Sequence, residues 1–324
     1  MEHFMNSGLR AALIGAGEIA PFHVAALRAA GFSVDHIAAS PDSSRAATFA
    51  QANKIPHYWP DPVALIESDT WDAIVLASAT ESIPRLLEFV VKSSRPCLVE
   101  KPVAFNVDDI LKFTAQSDLV RVAYNRRFYA TAARAKHFAD TQDCLFRLEL
   151  PDTTRDVADS FDGLRSVWEN SVHGLDLLRF VVGPYQIESR LDVHNPRARV
   201  ATVTTEHGHV GTIVLNWNCP ANFALVLDAA PQRFEMRPFE IGALYEGMEI
   251  KEPTLEVPVR RYVPRLLDQI DSFPGPDGLK PGFGEQAVSL LRRVTTGVWD
   301  ERSATLADAA IAINSARRLT LTTG

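Results

Sequence analysis

The sequence predicts an α/β protein. An N-terminal Rossmann domain with a doubly wound parallel sheet comes first, then an α+β domain with a largely antiparallel sheet. Three observations predict this. Short apolar runs alternate with helical patterns over the first third of the chain, as βαβ units do. The first apolar run ends in Gly15-Ala16-Gly17-Glu18-Ile19-Ala20, a glycine turn that opens a helix. Later runs alternate apolar and polar residues, as antiparallel strands with one solvated or site-facing side do.

The elements follow in order. Strand one covers about Ala11 to Ile14, and its helix carries Ile19, Val24, Ala25 and Leu27 and ends near Gly31. "VDHIAAS" is a second strand and "SSRAATFAQAN" its helix. "DAIVLAS" is a buried strand ending in Ser78, followed by a helix over "PRLLEFVVKS". "RPCLVE", the helix "VDDILKFTAQS" and the strand "VRVAYN" complete the first domain. A boundary near Asn125 divides the chain into residues 1–125, the dinucleotide-binding part, and 126–324, a substrate-binding and oligomerisation part. In the second part, "RRFYATAARAKHFAD" reads as a helix and "CLFRLELP" as a strand. "LRSVWENSVHGLDLLRFVVG" reads as one helix stopped by Gly183 and Pro184. "QIESRLDVH", "RVATVTTEH", "GTIVLNWN", "FALVLDA", "RFEMRPFE" and "LEVPVRRYV" read as strands, and "GEQAVSLLRRVTTG" and "TLADAAIAINSARRLT" as the final helices.

Bulk composition bounds the function. A chain of 324 residues suggests two domains, and 46% hydrophobic residues are enough to fill their cores. The net charge of −7 gives no footprint for nucleic acid. Cys97, Cys144 and Cys219 are far apart, form no CxxC pair and fit a reducing compartment. No residue cluster has metal-ligand spacing, so no metal is expected. "MEHFMNSGLR" is too polar for a signal peptide, and no apolar run approaches the ~18 residues of a membrane span. The expected setting is the cytoplasm, with no membrane partner.

The glycine turn points to a dinucleotide. Gly15 permits the tight turn, Gly17 lets a pyrophosphate approach the backbone, and Ala20 lets the helix pack on the sheet. Glu18 and Ile19 lie at the helix N-terminus, whose N–H groups face the phosphates. An S-adenosylmethionine enzyme, whose first strand also ends in a glycine turn, is the competing reading. At the end of the second strand, where NAD enzymes carry a carboxylate, stands Ser40, with Asp42 and Arg45 following. Ser40 and Arg45 could bind a 2′-phosphate, a slight lean to NADP within NAD(P). An ordinary helix cap at Asp42 or Ser43 fits the same residues.

The ordered set "ALIGAGEIAPFH", "LVEKP", "AYNRRF" and "ENSVHGLD" resembles the glucose–fructose oxidoreductase / inositol dehydrogenase (Gfo/Idh/MocA) family along nearly the whole chain. The resemblance implies a Rossmann domain joined to an α/β domain whose sheet walls the site, and C-terminal helices near the first domain. It implies NAD(P)-dependent hydride transfer at a carbinol carbon of a sugar, polyol or sugar nucleotide. It also implies that Lys101 points at the reacting hydroxyl, that Pro102 often follows a cis bond, and that Glu100 faces the cofactor side.

Glu169, His173 and Asp176 fall at i, i+4 and i+7 and would share one helical stripe. The family pattern is an acid, three residues, then the acid/base His; here Glu169 replaces the usual Asp. An unperturbed imidazole titrates near 6.5, well matched to taking a hydroxyl proton. A solvated acid–His pair is the plainer reading. Asn125, Arg126, Arg127 and Asp176 are candidate substrate contacts, the arginines through paired N–H bonds; a surface salt bridge is the alternative. His23 reads as packing or solvent-facing. A dinucleotide-binding sensor without turnover is the second functional class. A homo-oligomer, dimer or tetramer, is expected.

Overall fold

The strands of the first third form where β-branched and aliphatic residues run unbroken, because a parallel strand is covered on both faces. In the computed structural model, Ala73–Leu76 and Cys97–Val99 are buried at every position. The structure describes residues 8–321 except 41, 42, 44, 117, 154–160, 193–196 and 274–277. Asp42 and His194 lie outside the described residues.

The described elements are β1 (Arg10–Ile14), α1 (Ala20–Ala29), β2 (Ser33–Ala38), α2 (Ala46–Ala52), β3 (His57–Trp59), α3 (Pro62–Glu67), β4 (Ala73–Leu76), α4 (Ile83–Ser93), β5 (Cys97–Val99), α5 (Val107–Leu111) and β6 (Val120–Val122). They continue with α6 (Ala130–Thr141), β7 (Leu145–Leu150), α7 (Phe161–Asn170), α8 (Val172–Val182), β8 (Tyr185–Asp192), β9 (Ala198–Thr205) and β10 (Val210–Asn216). The last are β11 (Ala224–Ala229), β12 (Gln232–Met236), β13 (Ile241–Lys251), β14 (Arg261–Asp271), α9 (Phe283–Thr296) and α10 (Leu306–Thr320).

The chain divides into two compact units. One is Met1–Phe128 with Pro274–Asn314, the other Tyr129–Phe273 with Ser315–Gly324. In the first unit β3-β2-β1-β4-β5-β6 form a parallel sheet, the doubly wound order. Leu13, Leu27, Val75 and Leu98 share one core cluster with Phe283, Leu290 and Trp299. Each side chain of that size contributes ~1.5–3 kcal/mol on full burial, enough to seat α9 on this sheet. In the second unit the order is β14-β13-β12-β11-β7-β10-β9-β8. Only the β7–β10 pairing among these is parallel, so the sheet is largely antiparallel.

Several local features differ from the sequence expectation. The short helix α3, with the Asp61 side chain accepting from the Val63 N–H at its start, is additional. β3 is an additional strand, three residues long and too short to show a period. "LEVPVRRYV" is mostly the connection between two longer strands, β13 and β14, because Pro258 lacks the N–H that a ladder needs; its last three residues open β14. The helix expected over 164–183 is two helices, α7 and α8, meeting at Ser171. Ser and Asn at such a junction bond elsewhere with their side chains and weaken the helix.

Candidate active site

The first unit gathers the predicted cofactor residues at the carboxyl ends of its strands. β1 and β4 are neighbours at the point where the strand order reverses, and ligands of such sheets bind just outside the strand ends there. Gly15 follows β1 with φ of 114°, and its N–H donates to the Ala38 carbonyl at 2.8 Å. A Cβ on Gly15 would lie 2.1 Å from the Ala77 carbonyl oxygen, so only glycine fits. A Cβ on Gly17 would meet nothing within 4 Å. The two glycines therefore serve different ends. The first is needed by the fold, and the second leaves an open, exposed backbone face beside the start of α1. That open face fits a pyrophosphate, and the fit does not depend on any resemblance. Ser78 follows β4 and accepts a hydrogen bond from the Ser82 hydroxyl at 3.0 Å. Ser40 and Arg45 are exposed, Ser40 two residues after β2 and Arg45 at the start of α2.

Glu100 and Lys101 follow β5. Glu100 is buried, its N–H bonded to the Leu76 carbonyl at 2.8 Å. Burial would raise its pKa, but the hydrogen bond from His23, with the charges of His23 and Lys101, outweighs this and holds the carboxyl below its ordinary value. An ionised carboxylate only accepts. So Nε2 of His23, 2.7 Å from Glu100 Oε1, carries the proton in this bond. The second oxygen accepts from the backbone N–H of Lys101 at 3.1 Å. His23 is buried against the Phe283 ring, with centroids 4.9 Å apart. His23, read from sequence as packing or solvent-facing, is thus a polar anchor for the turn that presents Lys101. Its place in the first motif was the available signal. The Lys101–Pro102 bond is cis and the Lys101 side chain is half-buried.

Asn125, Arg126 and Arg127 lie in a 3-10 turn, Asn125–Phe128. The Asn125 side-chain amide donates to the Pro281 carbonyl at 2.9 Å, tying this turn to the approach to α9. Arg127 is buried and pairs with Asp308 at 3.4 Å. Arg126 is half-buried.

In the second unit, His173 and Asp176 lie on α8, 8% and 1% exposed. Gly174 lets α8 approach closely, since a Cβ there would sit 2.5 Å from the Leu150 side chain. Glu169 is on α7 and pairs with Arg165, one turn earlier, at 2.7 Å. Tyr185 is half-buried near Asp176; desolvation first, and then that carboxylate, push its phenol up to about 12. Among the described residues no cluster of three or more His, Cys, Asp or Glu could hold a metal, and no helix is long and apolar enough to cross a membrane.

Comparison with known proteins adds to this geometry. Residues 9–123 match the profile of the oxidoreductase family with an NAD-binding Rossmann fold, Gfo/Idh/MocA. The chain is similar to inositol 2-dehydrogenase 4 of Saccharopolyspora erythraea, with 25% identity over 69% of this chain and 71% of that protein. It is 30% identical to inositol 2-dehydrogenase of Mycolicibacterium smegmatis over 54% of this chain, and the match spans about half of that protein, 53%. Among solved structures, levoglucosan dehydrogenase in complex with NADH superposes with a TM-score of 0.75 at 14% identity, covering 96% of this chain and 95% of that one. The myo-inositol dehydrogenase of Lactobacillus casei, in complex with NAD(H) and myo-inositol, gives 0.69 at 13% identity, with 96% and 93% covered. At such identities the structural likeness concerns the fold.

Proposed function

Through residues 9–123 the chain belongs to the Gfo/Idh/MocA oxidoreductase family, and from that premise we propose that it is an NAD(P)-dependent dehydrogenase acting on a carbinol carbon of a cyclic polyol or sugar. One observation carries the reading most. At the carboxyl end of the sheet, Gly17 leaves an open backbone face while the buried His23–Glu100 pair fixes the turn that presents Lys101. The nicotinamide, when bound, exchanges the hydride. The protein's own work is to hold the reacting oxygen and move its proton. We assign the first task to the Lys101 ammonium, which can bond an oxygen as alkoxide character develops. The second falls to the His173 imidazole, with Glu169 and Asp176 on the flanking turns. Arg126 is assigned to substrate. A panel of myo-inositol, levoglucosan, L-sorbose and UDP-N-acetylglucosamine, each with NAD or NADP, tests the proposal by reduced-cofactor absorbance. Reduction with at least one supports it; silence across a panel widened to other polyols and sugars counts against it.

The two glycines give a paired prediction. Gly17→Val should abolish dinucleotide binding in calorimetry yet melt at nearly the wild-type temperature, because its side chain enters open space. Gly15→Ala should instead lower the melting temperature through the clash with Ala77. Wild-type affinity in Gly17→Val would remove the glycine turn from the argument.

The cofactor's finer identity rests on Ser40. With no carboxylate at that position, NADP is accepted at least as well as NAD. Ser40→Asp should move the ratio of kcat/KM toward NAD by repelling a 2′-phosphate. A wild-type enzyme that already excludes NADP would show that another group holds the ribose.

Self-association completes the proposal. β14 is the sheet edge, and Tyr262 and Leu266 on it, with Met248 and Ile250 on β13, are 51–61% exposed. A long edge strand that leaves several large apolar side chains in water invites pairing, and a second copy of the chain is the assigned cover. Sedimentation should report a dimer or larger, and Tyr262→Glu with Leu266→Glu should shift it to monomer. A monomeric wild type at micromolar concentration would rule this face out.

A further inference from the structure

We propose that Asp152 is a positioning residue for His173, an assignment that rests on the catalytic role given to His173 above. Asp152 lies two residues beyond β7 and is 4% exposed. Its Oδ2 accepts from the Ser171 hydroxyl at 2.7 Å. Its Oδ1 accepts from the Asn170 side-chain amide at 3.2 Å and from the Thr153 N–H at 2.9 Å. Its backbone carbonyl accepts from the Asn218 N–H at 2.8 Å, just past β10. One buried residue therefore ties together the end of β7, the junction of α7 and α8, and the turn after β10.

The place of this knot matters for His173. Ser171 stands at the N-cap of α8, but its hydroxyl makes no capping bond and goes to Asp152 instead. His173 follows two residues later, in the first turn of α8. A first helical turn lacks intrahelical partners for its N–H groups and is the part least fixed by the helix itself. Gly174 sets how closely α8 approaches Leu150. The Asp152 bonds fix where α8 begins and how its first turn is rotated. A carboxylate buried this deeply needs several donors to be tolerated. Here two of them are the side chains of the two residues at the helix junction. Displacing a reacting group by about 1 Å can cost on the order of 10²-fold in rate, so loosening this knot should show in turnover.

The test compares five variants with the wild type on myo-inositol and levoglucosan with NAD, after circular dichroism confirms folding. Asp152→Ala should lower kcat by about tenfold or more with unchanged affinity for the dinucleotide. Asp152→Asn should restore kcat to within about threefold of wild type. Its oxygen can still accept from Asn170 and Thr153, and its amide can donate to the Ser171 hydroxyl, so the geometry survives without the charge. Ser171→Ala removes one bond alone and should lower kcat by several-fold; it carries the test if Asp152→Ala does not fold. In a His173→Ala background, Asp152→Ala should cost at most about twofold, because the two changes act on one group. A residue that merely supports the fold would lower the rate equally in both backgrounds, and that result overturns the assignment. So would a folded Asp152→Ala, or a Ser171→Ala, with wild-type kcat where His173→Ala is disabled. A His173→Ala enzyme with normal turnover would instead overturn the role of His173, and this assignment with it.

Discussion

Replacing Lys101 with alanine is expected to cut turnover by a factor on the order of 10²–10³ and to leave dinucleotide affinity within about threefold. The size is that of losing one donor aimed at a developing oxyanion. The selectivity follows from the local structure. The turn is held by the Glu100 carboxylate, which accepts from His23 and from the backbone N–H of Lys101. None of those bonds uses the lysine side chain, so the alanine variant should keep the strand end and the glycine cradle. Lys101→Arg should not rescue the rate fully, since a planar guanidinium cannot occupy the place of a compact ammonium. Single-turnover rates and calorimetric Kd values check both halves. Normal turnover in Lys101→Ala, with only a small loss of stability, would reduce the residue to a strand terminator.

Replacing His173 with alanine is expected to lower the rate by roughly 10²–10⁴-fold, the range for a lost general acid or base. The sign of the pH dependence is fixed by the role. Oxidation of a hydroxyl needs the imidazole unprotonated, so the wild-type rate should rise with pH along its acid limb. The reverse reduction should fall over the same range. In His173→Ala that limb should disappear while the slower residual rate persists. A steep limb that survives the substitution would place the titrating group elsewhere.

How much of this was legible in the sequence depends on the range of the interactions. β1, β4 and β5 could be read because their residues are apolar on both faces and end at glycine, serine or the Glu-Lys-Pro turn. β3 could not, since three residues carry no period. The edge strand β14 and its neighbour β13 were obscured by glycines, a proline and charges that hide their alternation. The stripe through Glu169, His173 and Asp176 assumed one unbroken helix. At the break the Ser171 hydroxyl bonds Asp152, 19 residues away, and nothing in the local spacing announces that partner. The same holds for His23 and Glu100, which are 77 residues apart and meet only once the sheet is assembled. Motifs on one turn or one helix were visible. The anchors that hold those motifs in place were not.

The central claim is that this chain transfers a hydride rather than merely holding a dinucleotide. The most direct measurement uses the best polyol or sugar of the panel, deuterated at its carbinol carbons, with NAD or NADP. The account predicts that the reduced cofactor recovered after turnover carries deuterium at nicotinamide C4, with a matching ketone in the product, and that Lys101→Ala slows its appearance. Saturable dinucleotide binding by calorimetry, with no deuterium transferred from any polyol, sugar or sugar nucleotide, would contradict it.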